Sequence, residues 1–176
     1  MLKKLNTSFV LASLIIWLLF FCSCKTSVFV ANSKIDRISP DKEFLIIHNP
    51  RSNMFPAGIY PNYKQIDAFV YTSKPSVQRI DSLIYNELVK SHVSCRIIDE
   101  EFMLNTQAKS NEYVIRYQDY WSWDFKPFMH ILIISIYDSS KNKLSDYVSQ
   151  GNTGGMHNFP TPEKQVPELI TLILNE

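Results

Sequence analysis

Hydrophobic positions in this chain recur with two periods, one typical of strands and one typical of helices. Compact or alternating apolar runs predict strands at 43–48, 67–72, 93–99, 112–125, 128–138 and 144–151. The 112–125 run alternates most sharply, and 128–138 is apolar on both faces, as expected of a central strand. Because short turns join the last three runs, they predict an antiparallel meander.

Apolar residues three and four positions apart predict helices over 75–91 and 162–174. Pro75 and Pro162 suit first helical positions, and Thr161 suits the N-cap. Pro167 removes a backbone donor, so the alternative that the regular helix begins only at Pro167 stays open. The apolar stripe of the first helix consists of Val77, Ile80, Leu83, Ile84, Leu88 and Val89. Each stripe can cover one sheet face, which predicts an α/β domain of the α+β type, with a single mixed, mainly antiparallel sheet and two covering helices.

The N-terminal region has the layout of an export signal. Lys3 and Lys4 precede the apolar stretch "SFVLASLIIWLLFFC", which is shorter than the roughly 20 residues of a membrane-spanning helix. We therefore expect residues 1–23 to be a signal peptide, although a short uncleaved anchor is the alternative. Residues 24–40 lack a sustained period and predict a tether, with a short edge strand at 28–30 as the alternative. Residues 41–176 are then one α/β domain.

The junction "FFCSCK" resembles the cleavage site of bacterial lipoproteins, and the Lys-, Asn-, Ile- and Tyr-rich chain resembles lipoproteins of Bacteroidota. Ser23 fits the position before the modified cysteine, so the resemblance implies acylation of Cys24, for example with palmitate. Cys22 fits less well because the bulky Phe21 precedes it. Two or more acyl chains anchor a protein stably. The resemblance implies a cell-envelope protein held at the outer membrane, with the inner membrane as the alternative.

Three further stretches carry a wider resemblance, namely "NEYVIRYQDYWSWDF", "ILIISIYDSSKNKL" and "PEKQVPELITLIL". Their order resembles a group of small envelope lipoprotein domains in Bacteroidota and Proteobacteria. Those domains pair a strand–helix–strand unit with a three-stranded meander and a terminal helix. The resemblance implies a fold and a location, and it implies no catalytic activity.

Charge and motifs narrow the function classes. The formal net charge is +1, and the loss of Lys3 and Lys4 with the leader makes it −1. Without a basic field, nucleic-acid binding is not expected. The histidines lack metal-site spacing, and no phosphate loop or nucleophile elbow occurs. No cofactor is expected, and Cys95, which lacks a disulfide partner, is interpreted as a small buried hydrophobe.

Two function hypotheses follow. The first is a non-catalytic assembly or binding module with envelope proteins or glycans as partners. Its candidate binding face is formed by Tyr117, Trp121 and Trp123, which share one side of the 112–125 strand. The alternative for those rings is a buried position under a helix. The second hypothesis is a periplasmic hydrolase with dispersed His, Asp and Ser residues, built around His48, His130 and Asp124, although His130 is also typical of a core histidine.

Overall fold

The computed structural model describes residues 26–34, 38–39, 41–56, 58–68, 72–76, 79–101, 108–124, 126–151 and 160–175. The strands are β1 (Ser27–Ser33), β2 (Glu43–Ile47), β3 (Arg51–Met54), β4 (Thr72–Pro75), β5 (Cys95–Ile98), β6 (Glu112–Asp124), β7 (Lys126–Tyr137) and β8 (Lys143–Gln150). Among these residues α1 spans Ile80–Lys90 and α2 spans Pro162–Asn175, positions 100 and 101 are also α-helical, and a 3₁₀-helix spans Tyr63–Ala68. None of the helices in these ranges is long and apolar enough to cross a membrane.

All eight strands belong to one mixed sheet with the order β1-β8-β7-β6-β2-β5, and β3 joins β4 to β6 beside this path. Strands β6, β7 and β8 form the expected antiparallel meander. Strand β2 is parallel to both β5 and β6, so β2, α1 and β5 form a strand–helix–strand unit. The α+β class with a mixed, mainly antiparallel sheet is confirmed.

Both helices pack on one face of the sheet and on each other. The buried stripe of α1 consists of Ile80, Ile84 and Leu88, as predicted, and α2 contributes Val166, Leu169, Ile170 and Ile173 to the same cluster. Two smaller apolar clusters lie on the opposite face. One surrounds Ile131, Ile133 and Val148, and the other surrounds Leu45, Ile47 and Val114. Neither α1 nor α2 packs on this face, which we call the helix-free face for that reason, although Ile66 of the 3₁₀-helix joins one of its clusters. Its apolar surface is divided, and the space between the two clusters holds the candidate site.

Strands β2 and β3 lie on the same side of β6 but do not form one continuous ladder. β2 pairs with residues 112–115 of β6, and β3 pairs with Tyr120 and Trp121. Asn49 lies in the interval and donates its side-chain amide to the Tyr117 carbonyl oxygen at 3.3 Å. Because this contact satisfies a backbone acceptor that a ladder would use, the sheet tolerates the interruption.

Several predicted boundaries are wrong. The 24–40 segment contains β1, which pairs along β8 and packs Val28 and Val30 against the main core, so the edge-strand alternative describes it better than a tether. Pro75 ends β4 opposite Arg51 and does not begin a helix; α1 begins at Ile80. Val89 is 47% exposed and does not widen the buried stripe.

The predicted 67–72 strand also needs correction. The 3₁₀-helix covers positions 67 and 68, where Ile66 anchors it in an apolar cluster, and β4 begins only at Thr72. Arg51–Met54, for which the hydrophobic pattern predicts no element, form β3, because the partner strand β4 supplies a ladder. Helix α2 begins at Pro162, so Pro167 does not delay it.

Candidate functional site

A row of polar residues crosses four neighbouring strands on the helix-free face. Arg116 of β6 lies opposite Ser135 of β7, which lies opposite Asp146 of β8, which lies opposite Asn32 of β1. Directly opposite residues share a sheet face, so these side chains stand side by side. The row runs between the two apolar clusters of this face.

Asp146 is the centre of this row. Its carboxylate is almost fully buried and accepts hydrogen bonds from Ser135 Oγ at 2.6 Å and Lys143 Nζ at 3.2 Å. Asn32 Nδ2 donates a longer bond of 3.4 Å. Burial by itself lowers the pKa of Lys143, but the hydrogen bond and the charge of Asp146 outweigh it and raise that pKa. Lys143 therefore keeps its positive charge at neutral pH beside the Asp146 carboxylate.

A cavity of about 330 Å³ opens beside this row. Its lining is mostly polar and consists of Ile47, His48, Asn49, Glu100, Arg116, Tyr117, Gln118, Ser135, Tyr137 and Lys143. This volume lies at the lower end of the range for small-molecule pockets, so the cavity fits one or two small polar rings rather than a large cofactor.

The cations of the cavity are both paired. Arg116 Nη1 lies 2.7 Å from Glu100 Oε1, and both side chains are largely exposed. Lys143 Nζ is held by Asp146 and lies 5.9 Å from the centre of the Tyr137 ring. The lining thus presents donors and acceptors together, with the Tyr137 ring beside them.

His48 borders the cavity and connects it to helix α1. Its Nδ1 lies 2.7 Å from Oδ2 of Asp81, which is fully buried in the first turn of α1. Asp81 also accepts hydrogen bonds from Arg79 Nε at 3.1 Å and from the Ser82 backbone N–H at 2.7 Å. Although burial raises the pKa of Asp81, the bonds from Arg79, Ser82 and His48 outweigh it, so the pKa lies below its usual value.

Of the predicted cluster of His48, His130 and Asp124, only His48 lines the cavity among the residues whose side chains are described. His130 is buried among aromatic rings of the helix-free face, and its Nε2 donates to the Pro61 carbonyl oxygen at 2.8 Å. Burial lowers the pKa of His130, which keeps the ring neutral. The core interpretation of His130 is confirmed, and the side chain of Asp124 lies outside the described atoms.

The three residues of the predicted aromatic face differ in how far they are buried. Tyr117 is a core residue, with its hydroxyl bonded to the backbone of Asn49 and its pKa raised by burial to about 12. Trp121 packs against the same core and is half-buried. Trp123, in contrast, is 48% exposed. The prediction of a continuous exposed face is therefore wrong for Tyr117, because this side chain belongs to the core that β6 shares with the helices.

Cys95 packs half-buried against the main core, and burial raises the pKa of its thiol, as expected for a structural cysteine. Cys24 lies outside the described residues. Across the described ranges, no three His, Cys, Asp or Glu side chains are grouped so that they could hold a metal ion.

The polar row was missed by sequence reasoning, although two signals pointed to it. Ser135 interrupts the apolar run of β7, and Asp146 interrupts β8 between residues of alternating character. A buried polar residue in a central strand needs a hydrogen-bond partner, so each interruption indicated that some partner was present without saying which.

Comparisons with known proteins add little. No protein-family model matches the chain, and no curated protein sequence matches it. Among solved structures, a PelC dodecamer from Paraburkholderia phytofirmans is similar at 11% identity and a TM-score of 0.46, over 85% of this chain and 94% of that one. A single-residue variant of that PelC gives 13% identity and a TM-score of 0.43, over 84% and 95%. This likeness is too remote to support a conclusion about the chain.

Proposed function

We propose that this chain is a lipid-anchored protein of the bacterial envelope that acts as a non-catalytic binding module, with the polar cavity as its ligand site. The observation that carries the proposal is the paired, in-register lining of that cavity on the helix-free face. Acylated Cys24 would hold the domain at the outer membrane. No nucleic acid is expected as a partner.

The chemistry of the lining favours a ligand rich in hydroxyl groups. Sugar hydroxyls both donate and accept hydrogen bonds, and the cavity supplies donors from Arg116 and Lys143 and an acceptor from Glu100. A free anion would meet the Glu100 carboxylate and would find both cations already paired. The Tyr137 ring adds an apolar surface on which a sugar ring can stack. An envelope glycan therefore fits better than a small anion.

Photo-crosslinking in cells tests this function. We would place p-benzoylphenylalanine at Gln118, which is exposed and lines the cavity, and as a matched control at exposed Lys90 on α1. We expect a glycan adduct at position 118 that glycosidases trim, and we expect the double variant Arg116→Met, Lys143→Met to lose it. The same adducts at both positions would contradict the proposal. A cross-link from position 118 to a defined second polypeptide would show that the partner is a protein and not a glycan.

A hydrolase is the second candidate, because His48 borders the cavity while buried Asp81 holds its Nδ1. An Asp–His pair of this kind orients the imidazole so that Nε2 can accept a proton from water or a hydroxyl. Product release from envelope glycans by the wild type, abolished in His48→Gln, would establish catalysis and displace the non-catalytic proposal.

A further inference from the structure

The tip of the β6–β7 hairpin carries one exposed aromatic side chain, Trp123, and the partly buried Tyr60 beside it. Trp123 stands one residue before the end of β6 and is 48% exposed. Tyr60 donates its hydroxyl to the Trp123 carbonyl oxygen at 3.4 Å and stacks on Phe128 with ring centres 5.9 Å apart. We call Trp123 and Tyr60 the aromatic tip. It lies far along β6 from the polar row at Arg116.

The strand register brings the N-terminal end of β1 to the same end of the sheet. Ser27 lies opposite Gln150, Gln150 opposite Ile131, and Ile131 opposite Tyr120, so Ser27 is level with Tyr120. Each of these three pairings is antiparallel, and β1 is therefore antiparallel to β6. The N-terminal end of β1 therefore points in the direction in which β6 approaches its tip.

The reach of the link from Ser27 to Cys24 matches the length of β6 from Tyr120 to Trp123. Cys24 precedes Ser27 by three residues, which reach at most about 11 Å when fully extended. Trp123 follows Tyr120 by three strand residues, which rise about 10 Å. A lipid attached to Cys24 can therefore lie level with Trp123, whereas the opposite end of β6 at Glu112 is eight strand residues, or roughly 26 Å, from Tyr120.

We propose that the aromatic tip rests on the phospholipid surface in which Cys24 is anchored. The inference relies on the lipid anchor proposed above. Trp and Tyr favour the level of the headgroups, where an apolar ring and a polar group are both satisfied. The short link keeps this end of the sheet within about 11 Å of Cys24. The polar row, seven strand residues from Trp123, is then held about 23 Å from the membrane with its cavity in the aqueous compartment.

Tryptophan quenching by brominated lipids tests the contact. After the leader with Trp17 is removed, the chain contains only Trp121 and Trp123. We would reconstitute the purified lipidated protein into phosphatidylethanolamine–phosphatidylcholine vesicles with and without brominated acyl chains. We expect clear quenching of the wild type, and we expect Trp123→Phe to lose more than half of it. Because Trp123 is exposed, this variant should fold.

A matched control places a tryptophan at the other end of the molecule. Val89 is 47% exposed, close to the value of Trp123, and α1 ends near the start of β5, which is level with the start of β6. In the Trp123→Phe background, Val89→Trp should add fluorescence that brominated lipids do not quench. Wild-type protein that floats with the vesicles but shows no Trp123-dependent quenching would overturn this inference and leave the anchor intact. Protein that does not float at all would overturn both.

Discussion

The indole Nε1 of Trp121 donates a 2.6 Å hydrogen bond to the buried Oδ2 of Asp119, two residues earlier on the same side of β6. Alternate strand residues face the same way, so the pair is built by β6 alone. This bond ties Trp121 to the core, whereas Trp123, the next residue on that side, is half exposed. The two tryptophans therefore have different roles.

We expect Trp121→Ala to lower the free energy of unfolding by about 3 kcal/mol, the lower end for tryptophan truncation, because the ring is only half-buried. Trp123→Ala should change it by no more than about 0.5 kcal/mol, as is usual for exposed positions. Urea denaturation of both variants measures the difference. Equal destabilisation by the two changes would show that the tip belongs to the core.

The contribution of Asp119 to folding stability should change with pH in the direction opposite to that of an ordinary paired carboxylate. Burial raises its pKa, against smaller opposing effects of hydrogen bonds from Ser52 and Trp121. A raised folded pKa means that the native state binds the proton more tightly, so this group costs stability above its folded pKa and the cost disappears as the pH falls.

We therefore expect Asp119→Asn, which keeps an acceptor for Trp121, to be at least as stable as the wild type at pH 7. Its advantage should shrink as the pH falls through the raised folded pKa of Asp119 and vanish below the ordinary aspartate pKa of about 3.9. Denaturation at several pH values checks this. A variant that is least stable relative to wild type at pH 7 would contradict the assignment.

The contribution of Asp81 to folding stability should have the reverse dependence on pH. Its folded pKa is lowered, so its stabilisation is fully present above the unfolded pKa and is lost as the pH falls through the folded value. We expect Asp81→Asn to cost roughly 1–3 kcal/mol at pH 7, the range for a buried hydrogen-bonded group that loses charged partners. The deficit should narrow below about pH 4. Glu87→Gln on the same helix, which removes only the surface ion pair with Lys90, is the matched control and should cost at most about 1 kcal/mol.

The elements that were predicted correctly are those whose signal is local. The Ile80, Ile84 and Leu88 stripe and the alternation of β6 are imposed by contact with one core, so the period alone reveals them. Strands β3 and β4 have no such signal, because Arg51–Met54 is polar and is held by its partner strand. The same limit applies to the site. Arg116, Ser135 and Asp146 become neighbours only through the register of three strands, which no single segment encodes.

Lipidation of Cys24 remains a prediction of the cleavage-site pattern. Metabolic labelling with a palmitate analogue should label the wild type and Cys22→Ala, and Cys24→Ala should lose the label and move to the soluble fraction. Serine before Cys24 suits the peptidase, whereas the bulky Phe21 before Cys22 does not. Label that persists in Cys24→Ala and disappears in Cys22→Ala would place the modification at Cys22.

The last prediction concerns the pair that orders the cavity, Lys143 and Asp146. Two opposing effects act on the pKa of Lys143. Burial lowers this pKa, and the hydrogen bond and charge of Asp146 raise it, with a net rise. Removing the carboxylate leaves burial as the larger effect. We therefore expect the pKa of Lys143 to fall from above 10.5 in the wild type to below that value in Asp146→Asn.

A titration of the lysine side-chain carbons by NMR measures both values, with exposed Lys90 as the internal control that should not move. In the wild type, the stabilisation from this pair is fully present below the unfolded pKa of lysine and is lost only as the pH rises through the folded value. Lys143 would then be held charged and in place throughout the neutral range, as a donor for a hydroxyl-rich ligand must be. An unchanged Lys143 pKa in Asp146→Asn would show that the two side chains are not coupled in solution, and the cavity would lose the ordered cation on which its proposed ligand depends.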